Sequence, residues 1–164
     1  ISIIKDKAKI DIHLDVITSG IEPKVEKEFR KRISNLGSSV TIHFDVPNDE
    51  KKQILLANKI FCLPTKHPYG EGQPMSIIEA MAAGCAIVTT RIGGIEDMLV
   101  GMPYVCFAEK DDPKSIVDCI LSFLHSDSVD SKAIWEYARE RYSIGRFVNR
   151  ITEIFLTTEL APEK

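Results

Sequence analysis

The stretch GEGQPMSIIEAMAAGCAIVTT, residues 70–90, constrains the chain more than any other. Pro74 fits the first position of a helix, where its missing N–H costs nothing, and Gly84 fits the stop just beyond the end. Between them Ala80, Ala82 and Ala83 allow a close approach to a sheet. CAIVTT follows at once and reads as a strand buried on both faces. A helix this tight, joining one buried strand to the next, predicts parallel strands with crossover helices. One residue departs from the pattern. From Met75 to Ala83 every residue is apolar or small except Glu79. A second carboxylate, Glu71, stands eight positions earlier in a loop bounded by glycine and proline.

The rest of the chain repeats the alternation. IDIHLDVITSG, SVTIHFDV, KIFCLP, CAIVTT and MPYVCFA read as strands. EPKVEKEFRKRISNLG places Val25, Phe29, Ile33 and Leu36 at helical spacing and stops at Gly37. PNDEKKQILLAN predicts a short helix capped by Asn48 or Asp49. DPKSIVDCILSFLHS predicts another, capped by Asp112 with Pro113 at its first position. The C-terminal residues read as two helices broken near 143–145, and ISIIKDKAKI reads as the end of a helix. The expected fold is a Rossmann-like, doubly wound α/β domain, whose ligands bind in the loops after strand C-termini. Those loops are 18–20, 46–48, 65–74, 90–94 and 107–111.

The 164 residues suit a single domain over 1–164, and the initial Ile suggests a piece of a longer protein. A net charge of −3 gives no nucleic-acid surface, and KEFRKR reads as a solvated helix face. The four cysteines form no CxxC pair and no Cys/His ligand spacing. They are expected to be small buried hydrophobes in a reducing compartment. No apolar run reaches the roughly 18 residues of a membrane span. No nucleophile–base order, P-loop or HExxH motif is present.

Ser76 and Glu79, spaced i, i+3, share a helix face one turn from an N-terminus whose free amides attract anions. A nucleoside diphosphate can be held there, with the phosphates on the helix end and Glu79 accepting from sugar hydroxyls. His67 lies in the loop before this helix, and Lys66 and Arg91 lie at strand ends. Each is a candidate for reaching a sugar, a phosphate or an acceptor. His13 and His43 fall within strands and read as scaffold.

EGQPMSIIEAMAAGCAIVTTRIGGIEDML resembles the C-terminal half-domain of GT-B glycosyltransferases of family 4. In that family two glutamates are separated by seven residues, in a context like E-G-x6-E-A-M-A-x-G-x-P-V-V-x-T-x-x-G-G. Glu71 and Glu79, Glu-Ala-Met-Ala at 79–82, Gly84 and Gly93-Gly94 fall in register, and the likeness extends over nearly the whole chain. The resemblance implies a retaining transferase that needs no metal or cofactor and uses a nucleoside diphosphate sugar as donor. Its acceptor would be a polysaccharide, oligosaccharide or lipid-linked glycan. The enzyme would work in the cytoplasm or peripherally at the inner membrane face, touching the membrane through an N-terminal acceptor domain absent here. Glu71 would face the donor sugar as the catalytic residue, and Glu79 would bond the ribose hydroxyls. Amides around Gly72, Gln73, Met75 and Ser76 would meet the sugar and diphosphate. Val46 would lie near the base, Ser19 and Gly20 would complete the donor site, and Gly93 and Gly94 would line the cleft. Pro74 replaces a glycine of many members, Ala86 replaces a frequent proline, and the Arg and Lys that clamp the diphosphate would precede residue 1. This piece alone is expected to be inactive. A regulatory or scaffolding module of the same fold, or a nucleotide-sugar epimerase, are the alternatives.

Overall fold

The computed structural model describes residues 3–4, 10–20, 22–66, 72–126 and 129–159. Strands β1 (Leu14–Thr18), β2 (Val40–Phe44), β3 (Ile60–Leu63), β4 (Ala86–Thr90) and β5 (Val105–Ala108) alternate with helices along most of the chain. The helices are α1 (Pro23–Ile33), followed by a 3-10 segment (Ser34–Ser39), α2 (Asn48–Ala57), α3 (Met75–Ala82) and the single turn α4 (Ile95–Met98). They continue with α5 (Pro113–Leu124), α6 (Ser131–Tyr142) and α7 (Ile144–Glu159). Every pairing among the described strands is parallel, as the crossover helices require. The described strands form two hydrogen-bonded sheets, β1–β2 and β3–β4–β5, where the sequence predicts one. Asn58 Nδ2 donates to Asp15 Oδ2 at 3.0 Å and ties β1 to the approach to β3.

The alternation of β4 shows why the sheet is doubly wound. Ile87 joins a core built from Ile77, Ala80 and Met81 of α3 and Ile134 and Ala138 of α6. Its neighbour Val88 points the other way and packs with Ile116, Cys119 and Ile120 of α5. All five residues of β4 are buried, as its continuous apolar reading predicts.

Helix ends follow the sequence with small shifts. Pro74 is the N-cap of α3 (ψ 118°) rather than its first residue, and Pro47, not Asn48 or Asp49, caps α2 (ψ 156°). Both prolines hold an extended ψ, so the helical turn begins one residue later. At the far end of α3, Gly84 adopts φ +81°. Its N–H reaches the Met81 carbonyl at 2.9 Å, and the Cys85 N–H reaches the Ala80 carbonyl at 3.0 Å. This pair of bonds is a Schellman stop. Asp112 caps α5 as expected, accepting from the Lys114 amide at 2.8 Å.

The cysteines correct the sequence reading. Cys106 of β5 and Cys119 of α5 form a disulfide, with Cα atoms 5.6 Å apart. Parallel strand and crossover helix lie face to face, so residues 13 apart in sequence become neighbours without any CxxC signal. Cys62 and Cys85 are free, and burial pushes both thiols up to about 11, which keeps them protonated and inert.

Candidate functional site

The ends of β1 and β2 are laced together. The Gly20 amide donates to Asp45 Oδ1 at 3.1 Å, and the Asp45 amide donates to the Thr18 carbonyl at 3.0 Å. Asp45 itself sits at φ +49°, turning the chain sharply towards Val46 and the start of α2. Ser19 and Gly20 are exposed on this rim, and Val46 is half-buried.

The turn after β2 leads directly to the second part of the site. Lys51, in the first turn of α2, donates its Nζ to Oε1 of Glu79 at 2.7 Å. Glu79 keeps 36% of its side-chain exposure and Lys51 keeps 27%. The lone carboxylate of the small-residue helix is therefore neither a free surface charge nor fully desolvated. One oxygen is held by a cation and the remainder of the group faces an opening. That opening is a cavity of about 250 Å³ between α2 and α3, lined by Asn48, Lys51, Leu55, Glu79, Ala82 and Ala83 among others. Lys51 is the member of this candidate site that sequence reasoning missed. Its position in the first turn of α2, five residues after Val46, was the available signal.

The third part is the N-terminal end of α3. Met75 is exposed and Ser76 half-buried, and the N-cap residue, Pro74, supplies no side-chain cap to the first-turn amides. Ahead of them, exposed Gly72 and Gln73 run over the Gly93–Gly94 loop. An added Cβ at Gly94 would lie 2.2 Å from the Gly72 carbonyl oxygen, so the two backbones touch. The approach is fixed from below as well, since Thr89 Oγ1 donates to the Leu63 carbonyl (2.9 Å) and Thr90 Oγ1 to the Thr65 carbonyl (2.7 Å).

The structure thus groups Gly72 with Gly94, Glu79 with Lys51, and Gly20 with Asp45, all at strand C-terminal ends or on the helices that follow. Glu71 and His67 lie outside the described residues. Arg91 is engaged, ion-paired with Glu96 and stacked 4.2 Å over the Phe107 ring. Lys66 pairs with Asp111. His43 Nε2 donates to Asp15 Oδ1 (2.8 Å), and His13 Nε2 pairs with Thr41 Oγ1 (3.0 Å), in line with scaffold roles. Burial pushes the Asp15 carboxyl up, but bonds from Asn58 and His43 and the charges of His13 and His43 outweigh it, and the net shift is downward.

The architecture is that of one half of a GT-B glycosyltransferase. Three solved structures share it at low identity. A sucrose-phosphate synthase from Thermosynechococcus elongatus superposes with a TM-score of 0.73 at 16% identity, over 92% of this chain and 39% of that one. AviGT4, a glycosyltransferase involved in avilamycin A biosynthesis, gives 0.63 at 17% over 86% and 41%. Anabaena Alr3699/HepE, solved with UDP-glucose, gives 0.65 at 18% over 88% and 41%. The chain belongs to the glycosyl transferases group 1 family, whose model matches residues 1–126. Among curated relatives it is 28% identical over 152 residues to D-inositol 3-phosphate glycosyltransferase of Corynebacterium urealyticum. The match covers 89% of this chain but spans only 34% of that relative's length. No helix among the described residues is long and apolar enough to cross a membrane.

Proposed function

We propose that the chain is the donor-binding half of a retaining glycosyltransferase that moves a sugar from a nucleoside diphosphate sugar to a glycan or lipid-linked acceptor. The observation that carries this reading is the Lys51–Glu79 pair beside the α3 N-terminus. Lys51 fixes one carboxylate oxygen of Glu79, leaving the other to accept from the two ribose hydroxyls. The first-turn amides at Met75 and Ser76, with the positive end of the α3 dipole, receive the diphosphate. Val46 and the Ser19–Gly20 turn flank the nucleoside. Gly72 and Gln73 offer amides towards the sugar, with Glu71 facing it. Phosphate charge is met by amides and basic side chains rather than a metal ion. The HepE complex with UDP-glucose supports a sugar nucleotide as the ligand class.

The test is an amide NMR titration of the chain with UDP, GDP, ADP and dTDP. One nucleotide is expected to shift the amides from Gly72 to Glu79. Glu79→Ala is expected to weaken that nucleotide by about tenfold, about 1.4 kcal/mol. Shifts elsewhere on the chain, or a Glu79→Ala variant that binds as tightly as wild type, would remove the assignment. Product analysis of the full-length protein separates sugar transfer from epimerisation.

A further inference from the structure

The two glycines of the 93–94 loop are there for different reasons. Gly93 has φ +58°, which side chains resist. Gly94 has φ −80° and ψ 4°, a backbone any residue can adopt. What Gly94 lacks is space. A Cβ on it would stand 2.2 Å from the Gly72 oxygen, 3.2 Å from its carbonyl carbon and 3.5 Å from its Cα.

We infer that Gly94 is a positioning residue, and that its bare Cα is the seat on which the Gly72–Gln73 segment rests. The inference builds on the donor-site reading above, in which that segment faces the sugar. Which side would yield to a methyl group follows from burial. Gly94 opens α4, whose Ile95 and Met98 are buried in the main core. The Met98 carbonyl also accepts from the hydroxyls of Tyr137 and Tyr142. Burial pushes both phenols up, Tyr142 to about 12, so they remain donors at any ordinary pH. Gly72 and Gln73 are exposed, and among the described residues no side chain bonds to them. The exposed segment therefore moves and the α4 turn does not. Real Cβ atoms essentially never come within 3.0 Å of such an atom, so the carbonyl must withdraw from its 2.2 Å position by most of an ångström. A misplacement of about 1 Å in a substrate-positioning element costs on the order of 10²-fold in rate. Gly94 thus acts on the sugar end of the donor through Gly72, without touching the ligand. The diphosphate, held one step further on at Met75 and Ser76, feels little of it.

The experiment is Gly94→Ala in the full-length enzyme, beside Gly145→Ala, where an added methyl meets nothing within 4 Å. Expected for Gly94→Ala is a fall in kcat of about tenfold or more. The affinity for the bare nucleoside diphosphate and the unfolding midpoint stay close to wild type, and Gly145→Ala behaves as wild type throughout. A kcat within about twofold of wild type overturns the inference. A parallel loss of kcat, nucleotide affinity and unfolding midpoint also overturns it, because the glycine would then support the fold and not the segment. If the wild-type enzyme transfers no sugar, the donor reading fails separately. The unliganded amide spectrum of Gly94→Ala then decides the contact itself. Shifts centred on Gly72 and Gln73 uphold the seat, and shifts spread through residues 95–102 reject it.

Discussion

The two sheets follow the same alternation of strand and helix but are packed to different degrees. In β3–β4–β5, the central strand is buried along its whole length, with α3 and α6 on one face and α5 on the other. In β1–β2, no strand residue is buried, and α1 buries none of its side chains. Val25, on the apolar stripe of α1, remains 52% exposed. The spacing of residues 25, 29, 33 and 36 made an amphipathic helix predictable, but no residue of α1 is buried. Polar contacts fill the gap: Asp15 with His43 and Asn58, Asp45 with Gly20, and the i, i+4 pairs Glu26–Arg30 and Glu28–Arg32 on α1. Exposed pairs of that kind contribute only about 0.3–0.5 kcal/mol each. Periodicity therefore sets the elements, while burial depends on how many layers surround them.

Three measurements can break or sharpen this contrast. The largest effect is expected from Ile87→Ala in β4, which should lower unfolding free energy by about 3–4 kcal/mol, as for fully buried aliphatics. Val16→Ala in β1 should lower it by only about 1 kcal/mol. Urea unfolding of both variants checks the pair, and equal losses would erase the distinction between the sheets. Next comes the Cys106–Cys119 bond, which closes a short loop on the well-packed sheet. Reduction should lower stability by about 2–3 kcal/mol on the loop-closure account. Amide exchange should quicken in β5 and α5 and stay unchanged in β1 and β2. Quickening confined to β1 and β2 would show that the staple acts elsewhere. The smallest effect concerns Asp15. Its folded carboxyl titrates below the usual carboxylate range, so ionisation favours the fold. The stability it contributes is complete above about pH 4 and is lost as pH falls through the folded value. Asp15→Asn should flatten the acid limb of the stability profile and speed exchange in β1 first. An unchanged acid limb would remove Asp15 from the account.

Much of the fold was legible because its signals are local. Pro74 and Gly84 bracket α3, Asp112 caps α5, and the unbroken run from Ala86 to Thr90 marks the doubly buried strand. The Glu71/Glu79 spacing pointed to the family on the same local grounds. Features that depend on the meeting of distant segments were not legible. Lys51 reaches Glu79 across 28 positions, and Cys106 reaches Cys119 only once strand and helix are stacked. Gly94 could be read as a loop glycine, but not as the neighbour of Gly72. Arg91 looked available from its place after β4, and its engagement with Glu96 and Phe107 required the folded geometry.

Two phenol hydroxyls on the one carbonyl of Met98 also bear on motion. A helix of four residues is barely a nucleus and would open and close freely by itself. With Tyr137 and Tyr142 attached, α4 cannot open unless α6 lets go of it. Its fluctuations are then no longer the nanosecond-to-microsecond excursions of a surface turn. They belong to the rarer openings in which a whole packed unit comes apart. The exposed Gly72 segment consequently rests on a support whose clock is set by the core.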